Sequence, residues 1–308
     1  MKFVKMHGLG NDFIVFDFAC PKMQDPFEKG KIKEQMEKCR WIQCLCDRHC
    51  GIGADGVICI CPSIYADFRM KLYNADGSQA QMCGNGIRCL GKYVYEHGKT
   101  DHTNLMIETD AGVRQLRLYI ETDRIGTVRV DMGTPDFVPE HIPVRFFDTD
   151  KEKNVHFFKT TGEGRRISLN GQNYPFTAVS IGNPHGVIFM ENEKQLQQFP
   201  LAEYGTVLEH HPAFPKGVNV ELAWVQSPEK IMVRVWERGC GETRACGTGA
   251  CAVAAAAMQR KKSKASVAME LPGGILRVDY QRQSGHLFLT GDAEEVFCGE
   301  VQIPGLDY

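Results

Sequence analysis

The 308-residue chain lacks long apolar runs and has almost no net charge. A membrane-spanning helix needs roughly 18 or more consecutive apolar residues, and none occurs. The 36 Lys and Arg residues against 38 Asp and Glu leave a formal charge of −2, so no basic surface built to grip nucleic acid is expected. The first residues reach His7, Asn11 and Asp12 without a charged and then apolar leader, so an export signal is not expected and the expected location is the cytoplasm. A hydrophobic share of 43% and a charged share of 24% are those of a folded globular chain, which excludes a disordered one. The length is about twice a modal domain and predicts two domains.

Cysteine is abundant instead, with 13 residues. Without an export signal these read as free thiols in a reducing compartment, most of them small buried hydrophobes. Cys39, Cys44, Cys46, Cys59 and Cys61, with His49 beside Cys50, fit no Cys-x2-Cys knuckle pair, so no metal is expected. Gly51-Ile-Gly-Ala-Asp-Gly lacks the strand, helix and later acid of a dinucleotide fingerprint, so no such cofactor is expected. A metal- or redox-sensing binding protein using the 39–61 cysteines is the alternative from another class. The run Ala252 to Ala257 predicts close helix packing, and Arg260-Lys261-Lys262 a solvated helix end.

Short strands separated by turns dominate the pattern and favour an α+β chain with mixed or antiparallel sheets. Lys2 to Asp17 predicts two strands around a turn; residues 27 to 50 suggest a helix; Val57–Cys61, Phe68–Tyr73, Leu105–Thr109, Leu116–Glu121 and Thr127–Asp131 fit strands. Gly84 to Glu96 has helical spacing. A boundary is expected near Met132-Gly133-Thr134-Pro135. Beyond it come a strand Phe176–Ile181, a turn Gly182-Asn183-Pro184-His185, a helix over about Glu193 to His210, strands Val218–Trp224 and Ile231–Trp236, and a helix from Gly247 to Met258.

The two halves repeat one another. Gly-Leu-Gly-Asn11 matches Ser-Ile-Gly-Asn183. Asn74 stands nine residues before Cys83, and Glu237 nine before Cys246. Each cysteine opens a Cys-Gly-x-Gly turn that begins a helix, so two pseudo-symmetric halves are expected to present equivalent turns across a cleft. Glycines let a ligand approach the backbone, and the unpaired first-turn N–H groups with the helix dipole form an anion site. The same field favours a thiolate, whose pKa can fall from about 8.5 to roughly 3.5–7.5. Two such turns around one carboxylate place its α-carbon between two sulfurs: one removes the α-proton and the other returns a proton from the opposite face.

At these residues the chain resembles the diaminopimelate epimerases, along essentially its whole length. The stretches are Lys5-Met-His-Gly-Leu-Gly-Asn-Asp-Phe13, Gly51-Ile-Gly-Ala-Asp55, Asn74-Ala-Asp-Gly-Ser78, Cys83-Gly-Asn-Gly86, Gly182-Asn-Pro-His185, Val218-Asn219, Glu237-Arg-Gly239, Ala245-Cys-Gly-Thr-Gly-Ala-Cys251 and Leu271-Pro-Gly-Gly274. The resemblance implies two similar domains, each a mixed, barrel-like sheet around a central helix, with residues 1–131 plus 292–308 in one and 132–291 in the other. It implies that Cys83 and Cys246 are the catalytic pair, that His185 and Glu237 tune the thiols, and that Gly84, Asn85, Gly247 and Thr248 bind the α-carboxylate. It further implies that Asn11, Asn74, Asn183, Asn219 and Arg238 hold the substrate, with Glu237 also at its α-amino group. No cofactor, a small-molecule substrate and a homodimer follow from the same likeness. A racemase of another amino acid on the same scaffold is the nearest alternative. Two departures stand out: some members carry a substrate-contacting glutamine at the position of Gly56, and the segment from Cys20 to Cys50 is longer and richer in charge and cysteine.

Overall fold

The computed structural model describes residues 1–19, 35–145, 158–161, 164–169 and 172–302. The chain divides into two compact units, Met1–Asp131 with Thr290–Tyr308, and Met132–Leu289.

The first unit begins with β1 (Lys2–Gly8) and β2 (Asn11–Asp17), joined at Leu9 and Gly10, both at positive φ. There follow α1 (Gln35–Cys46), β3 (Gly56–Cys61), β4 (Phe68–Asn74), β5 (Gln79–Ala80), α2 (Gly84–Glu96), β6 (Asn104–Thr109), β7 (Gly112–Glu121) and β8 (Arg124–Gly133). The part of the expected 27–50 helix before Gln35 lies outside the described residues. The last strand among the described residues, Glu294–Glu300, pairs antiparallel with β1. From β1 the sheet runs antiparallel to β2, parallel to β3, antiparallel to β4, parallel to β6 and antiparallel to β7. The parallel-paired β3, Gly-Val-Ile-Cys-Ile-Cys, is buried at every position, which is why its sequence does not alternate. β8 carries one half-buried and one buried side and alternates accordingly. Residues Gly84 to Val94 of α2 are all buried, against β1, β2, β3, β4 and β7. Gly91 makes this possible, since a β-carbon there would lie 2.9 Å from Leu116. Gly98 ends the helix in the left-handed region, its N–H donating to the Tyr95 carbonyl.

The second unit contains β9 (Phe158–Thr161), β10 (Gly164–Leu169), β11 (Gln172–Ser180), β12 (Pro184–Phe189), α3 (Glu193–Gln198), α4 (Leu201–Glu209), β13 (Asn219–Ser227), β14 (Lys230–Glu237), β15 (Gly241–Thr243), α5 (Gly247–Gln259), β16 (Ser266–Leu271), β17 (Gly274–Gln281) and β18 (His286–Gly291), along which the chain leaves the unit. From β11 the pairing is antiparallel to β12, parallel to β13, antiparallel to β14, parallel to β16 and antiparallel to β17. This is the sequence of senses found from β1 to β7, with α5 in the place of α2. The alanine-rich α5 is buried along Gly249 to Ala257, and its small side chains let β11, β12, β13, β14, β16 and β17 close around it.

Two expectations are corrected. The helix over Glu193 to His210 is two helices, because Pro200 has no N–H to continue the ladder and forces Phe199 out of helical geometry, to ψ 128°. The turn Gly182 to His185 is shorter than expected: Pro184 and His185 already belong to β12, so His185 points from a rigid strand.

Candidate active site

In the first unit Cys83 is the N-cap of α2, with φ −140° and ψ 125°, and its carbonyl accepts from the Ile87 N–H. Gly84 and Asn85 follow as the first helical residues, in the turn whose N–H groups a helix leaves to partners outside its own ladder. Cys83 is partly exposed. Its thiol donates to Asn11 Oδ1 at 3.7 Å, and Asn85 Nδ2 donates to the same oxygen at 3.1 Å. Asn11 Nδ2 in turn donates to Asp55 Oδ2 at 2.9 Å. Asp55 and Asp12 share Arg48, and buried Lys5 pairs with Asp12 at 2.7 Å. Burial pushes the Asp12 pKa up, but hydrogen bonds from Arg48 and Lys5 outweigh it and hold it at about 2.

Asn74 ends β4 and donates through Nδ2 to Ser78 Oγ at 2.9 Å. α1 braces this turn: the Cys39 thiol donates to the Gly77 carbonyl at 3.5 Å and Gln43 Nε2 to the Asp76 carbonyl at 2.8 Å. Gly56 has no room for a side chain, since a β-carbon there would lie 2.5 Å from the Tyr73 carbonyl oxygen. The family's glutamine contact therefore has no counterpart at this position.

In the second unit Cys246 caps α5 in the same way, with φ −124° and ψ 117°, but is buried. Its sulfur accepts from the Gly249 N–H at 3.3 Å and lies 3.4 Å from Thr248 Oγ1. The helix field was expected to favour its thiolate. Instead burial, then the charges of Glu237 and Glu221, raise its pKa well above the usual thiol range, against the hydrogen bonds of Thr248 and Gly249. Burial also raises the pKa of Glu237, whose carboxyl accepts from Thr243 Oγ1 at 2.5 Å and is hydrogen-bonded to Cys246. The raised pKa favours the protonated form of the Cys246 thiol.

Asn219 is tied to the backbone at both ends of its amide: Nδ2 donates to the Pro184 carbonyl at 2.9 Å and Oδ1 accepts from the Arg238 N–H at 3.0 Å. It staples the start of β12 to the end of β14. Arg238 is exposed, lies along Gly217, and donates from Nη1 to the Lys216 carbonyl at 2.7 Å. Its turn is braced by Glu209, which accepts from the Trp236 indole and the Gly239 N–H, each at 2.8 Å. His185 is fully buried, with Nδ1 2.6 Å from Glu221 Oε1 and Nε2 2.9 Å from Asn183 Oδ1.

The structure thus gathers Asn11, Cys83, Gly84 and Asn85 in one unit, with Asn74 on the neighbouring turn. It gathers Glu237, Cys246, Gly247 and Thr248, with His185, Asn183 and Asn219, in the other. Sequence reasoning missed Glu221, Glu209, Asp55 and Arg48. Glu221 carried a signal: it stands two residues after Asn219 in an apolar run, and so on the same face of the strand. Among the described residues no group of three His, Cys, Asp or Glu side chains is arranged to hold a metal ion, and no helix is long and apolar enough to cross a membrane. A cavity of about 660 Å³ in the second unit, lined by Phe137, Arg166, Phe176, Arg260 and Lys262 among others, contains none of the site residues.

Comparison with known proteins places this geometry in a family. The family model for diaminopimelate epimerase matches residues 3–138 and 177–296. A diaminopimelate epimerase of Agathobacter rectalis is 44% identical, the match covering 98% of this chain and 100% of that protein. One of Desulfovibrio desulfuricans is 42% identical over 98% of this chain and 99% of the relative. Among solved structures, a phenazine biosynthesis protein of the PhzF family from Bacillus anthracis superposes with a TM-score of 0.67 at 15% identity, covering 98% of this chain and 99% of that one, and so shares the fold. The paired, helix-capping cysteines thus sit in a chain that belongs to the diaminopimelate epimerase family.

Proposed function

We propose that this protein interconverts LL- and meso-diaminopimelate through Cys83 and Cys246, without pyridoxal phosphate. The observation that carries the reading is the repeat itself: two cysteines, in units with the same order of strand pairings, each the N-cap of a buried helix. One sulfur, as thiolate, takes the α-proton; the other, as thiol, gives its proton to the opposite face. The roles exchange for the reverse reaction, so the enzyme returns to its starting protonation after a turnover in each direction.

The α-carboxylate binds the helix starts at Gly84, Asn85, Gly247 and Thr248. Their N–H groups take up the negative charge that develops on the carboxylate as the α-proton leaves. Glu237 contacts the α-amino group and tunes Cys246. Asn11, Asn74, Asn183, Asn219 and Arg238 form the set that receives the rest of the substrate, with the planar fork of Arg238 suited to the distal carboxylate. The function belongs to lysine and peptidoglycan-precursor synthesis, in a cytoplasmic homodimer.

The test is α-proton exchange. Reduced protein is incubated with LL-diaminopimelate in deuterated water without pyridoxal phosphate and followed by proton NMR. Loss of the α-proton signal together with formation of the meso isomer is the expected result. Exchange with a shorter amino acid and none with diaminopimelate overturns the substrate while keeping the chemistry. No exchange with any amino acid overturns the proposal.

A further inference from the structure

Glu209, the last residue of α4, is buried, and both of its carboxyl oxygens accept hydrogen bonds. Oε2 accepts from the Trp236 indole and Oε1 from the Gly239 N–H, each at 2.8 Å. These donors belong to the residue before Glu237 and the residue after Arg238. An indole N–H and a backbone N–H can only donate, so the place calls for two acceptors. A carboxyl group supplies both, whereas an amide supplies one. The Arg238 N–H is held as well, by Asn219 Oδ1 at 3.0 Å. Two consecutive N–H groups of an exposed turn are thus bound by side chains that are themselves buried.

Glycines bring these groups together. A β-carbon at Gly205 would run into the Trp236 ring, so the indole packs directly on α4, and Glu209 lies four residues on, along the same face. A β-carbon at Gly217, where φ is 71°, would stand 2.9 Å from Arg238 Cδ, so the arginine stem lies against that backbone and its guanidinium reaches the Lys216 carbonyl. The repeat supplies a comparison. The parallel register pairs Phe13 with Gly56 in the first unit and His185 with Asn219 in the second. Ten residues before Gly56 and Asn219 stand Cys46 and Glu209, both buried. In the first unit the turn after Asn74 is braced by donors, Cys39 and Gln43 of α1, on the carbonyls of Gly77 and Asp76. The buried carboxyl stands in the half whose turn carries an arginine.

We propose that Glu209 is a positioning residue: it fixes where Arg238 stands and so selects a substrate that carries a distal carboxylate. Glu237, the neighbour of Arg238, is hydrogen-bonded to Cys246 at the reacting end. Tethering the chain on both sides of this pair fixes the span from the reacting carbon to the arginine fork, which is the substrate length the site accepts. Without the Glu209 carboxyl the turn loses two tethers, and the fork no longer meets the distal carboxylate squarely. Glu237 keeps its own bonds to Thr243 and Cys246, so binding weakens more than chemistry. The inference rests on the distal-carboxylate role proposed for Arg238 above.

The experiment has two arms. In the wild-type protein, NMR hydrogen exchange should find the Gly239 amide protected although its residue is exposed, and Glu209→Ala should speed its exchange about tenfold or more and shift the Trp236 indole signal. In the same variant the KM for diaminopimelate should rise about tenfold or more with kcat moved less, and Glu209→Gln, which keeps one acceptor, should fall between. In an Arg238→Ala background Glu209→Ala should change kcat/KM less than about twofold, because the group it positions is gone. An unprotected Gly239 amide in the wild type overturns the proposal. So does a loss of equal size in the Arg238→Ala background, or a fall in kcat with KM unmoved. Should Glu209→Ala fail to fold, Glu209→Gln carries the same comparisons, and should both fail, the wild-type amide decides. Should the wild type not act on diaminopimelate, the proposed function falls, while the Gly239 and Trp236 signals still decide whether Glu209 holds the turn.

Discussion

Arg48 grips both carboxylate oxygens of Asp12, at 2.7 and 3.1 Å, and reaches Asp55 with the same guanidinium at 2.8 Å. Asp55 carries Asn11, and Asn11 accepts from Cys83. Arg48, two residues beyond α1, is therefore three hydrogen bonds from a proposed catalytic sulfur. The folded pKa of Asp12 is depressed from 3.8 to about 2, so its contribution is fully present above 3.8 and is lost as pH falls through about 2. The shift corresponds to about 1–2 kcal/mol once the exposure of Arg48 is allowed for. Arg48→Met should lose about 1 kcal/mol at neutral pH and flatten the acid limb, as read from denaturation midpoints against pH. It should also raise KM through Asn11.

Cys246 is a buried thiol between two carboxylates, whereas Cys83 is partly exposed beside amides. Iodoacetamide at neutral pH should therefore modify Cys83 at least about tenfold faster than Cys246, since only the thiolate attacks. Glu237→Gln removes the nearer carboxylate and should bring Cys246 forward. Peptide mass spectrometry of timed samples distinguishes the two. Equal rates in the wild type would contradict the raised thiol.

Much of this architecture was legible in the chain. The glycine turns, the helices starting at Gly84 and Gly247, and the Asn74–Cys83 and Glu237–Cys246 spacings are local features, set by backbone chemistry that leaves a mark in sequence. The state of Cys246 was not legible, because a helix start by itself favours a thiolate. Only tertiary packing shows that burial, Glu237 and Glu221 prevail. Glu221 was hidden for a related reason: its partner His185 is 36 residues away, and only the parallel pairing of β12 with β13 brings them together. The break at Pro200 was visible in the residue type but was overridden by the surrounding helical period.

Gly56 offers a test of packing alone. Its would-be β-carbon meets a backbone carbonyl, which cannot swing aside as a flexible side chain can. Gly56→Ala should cost about 1–3 kcal/mol, and Gly56→Gln at least as much, with thermal melting as the measurement. Restoring the glutamine that some relatives use should therefore weaken this enzyme. An unchanged melting temperature with improved KM would show that β3 and β4 separate to admit the side chain.

Arg238 separates the proposed substrate from a shorter one. Its guanidinium is exposed and anchored through one N–H to the Lys216 carbonyl, which leaves other donors for a distal carboxylate. Arg238→Ala should lower kcat/KM for diaminopimelate by about 100-fold or more, and Arg238→Lys should recover only part of it, since a point charge cannot replace a bidentate fork. Retention of activity in Arg238→Ala would favour a racemase for an amino acid without a second carboxylate.

The two-thiol chemistry requires both sulfurs to reach one α-carbon, and sulfurs that share a carbon can be joined to each other. A mild oxidant such as diamide should then take two electrons and two protons from Cys83 and Cys246 and form a disulfide, abolishing activity. Dithiothreitol should restore it, and bound diaminopimelate should protect. Non-reducing peptide mapping identifies the linked pair, which matters because exposed Cys44, Cys50, Cys240 and Cys298 also oxidise in principle. Inactivation through any of those, with Cys83 and Cys246 still free, would leave the two thiols without evidence of approach. Full activity in protein shown to carry the Cys83–Cys246 bond would exclude the mechanism.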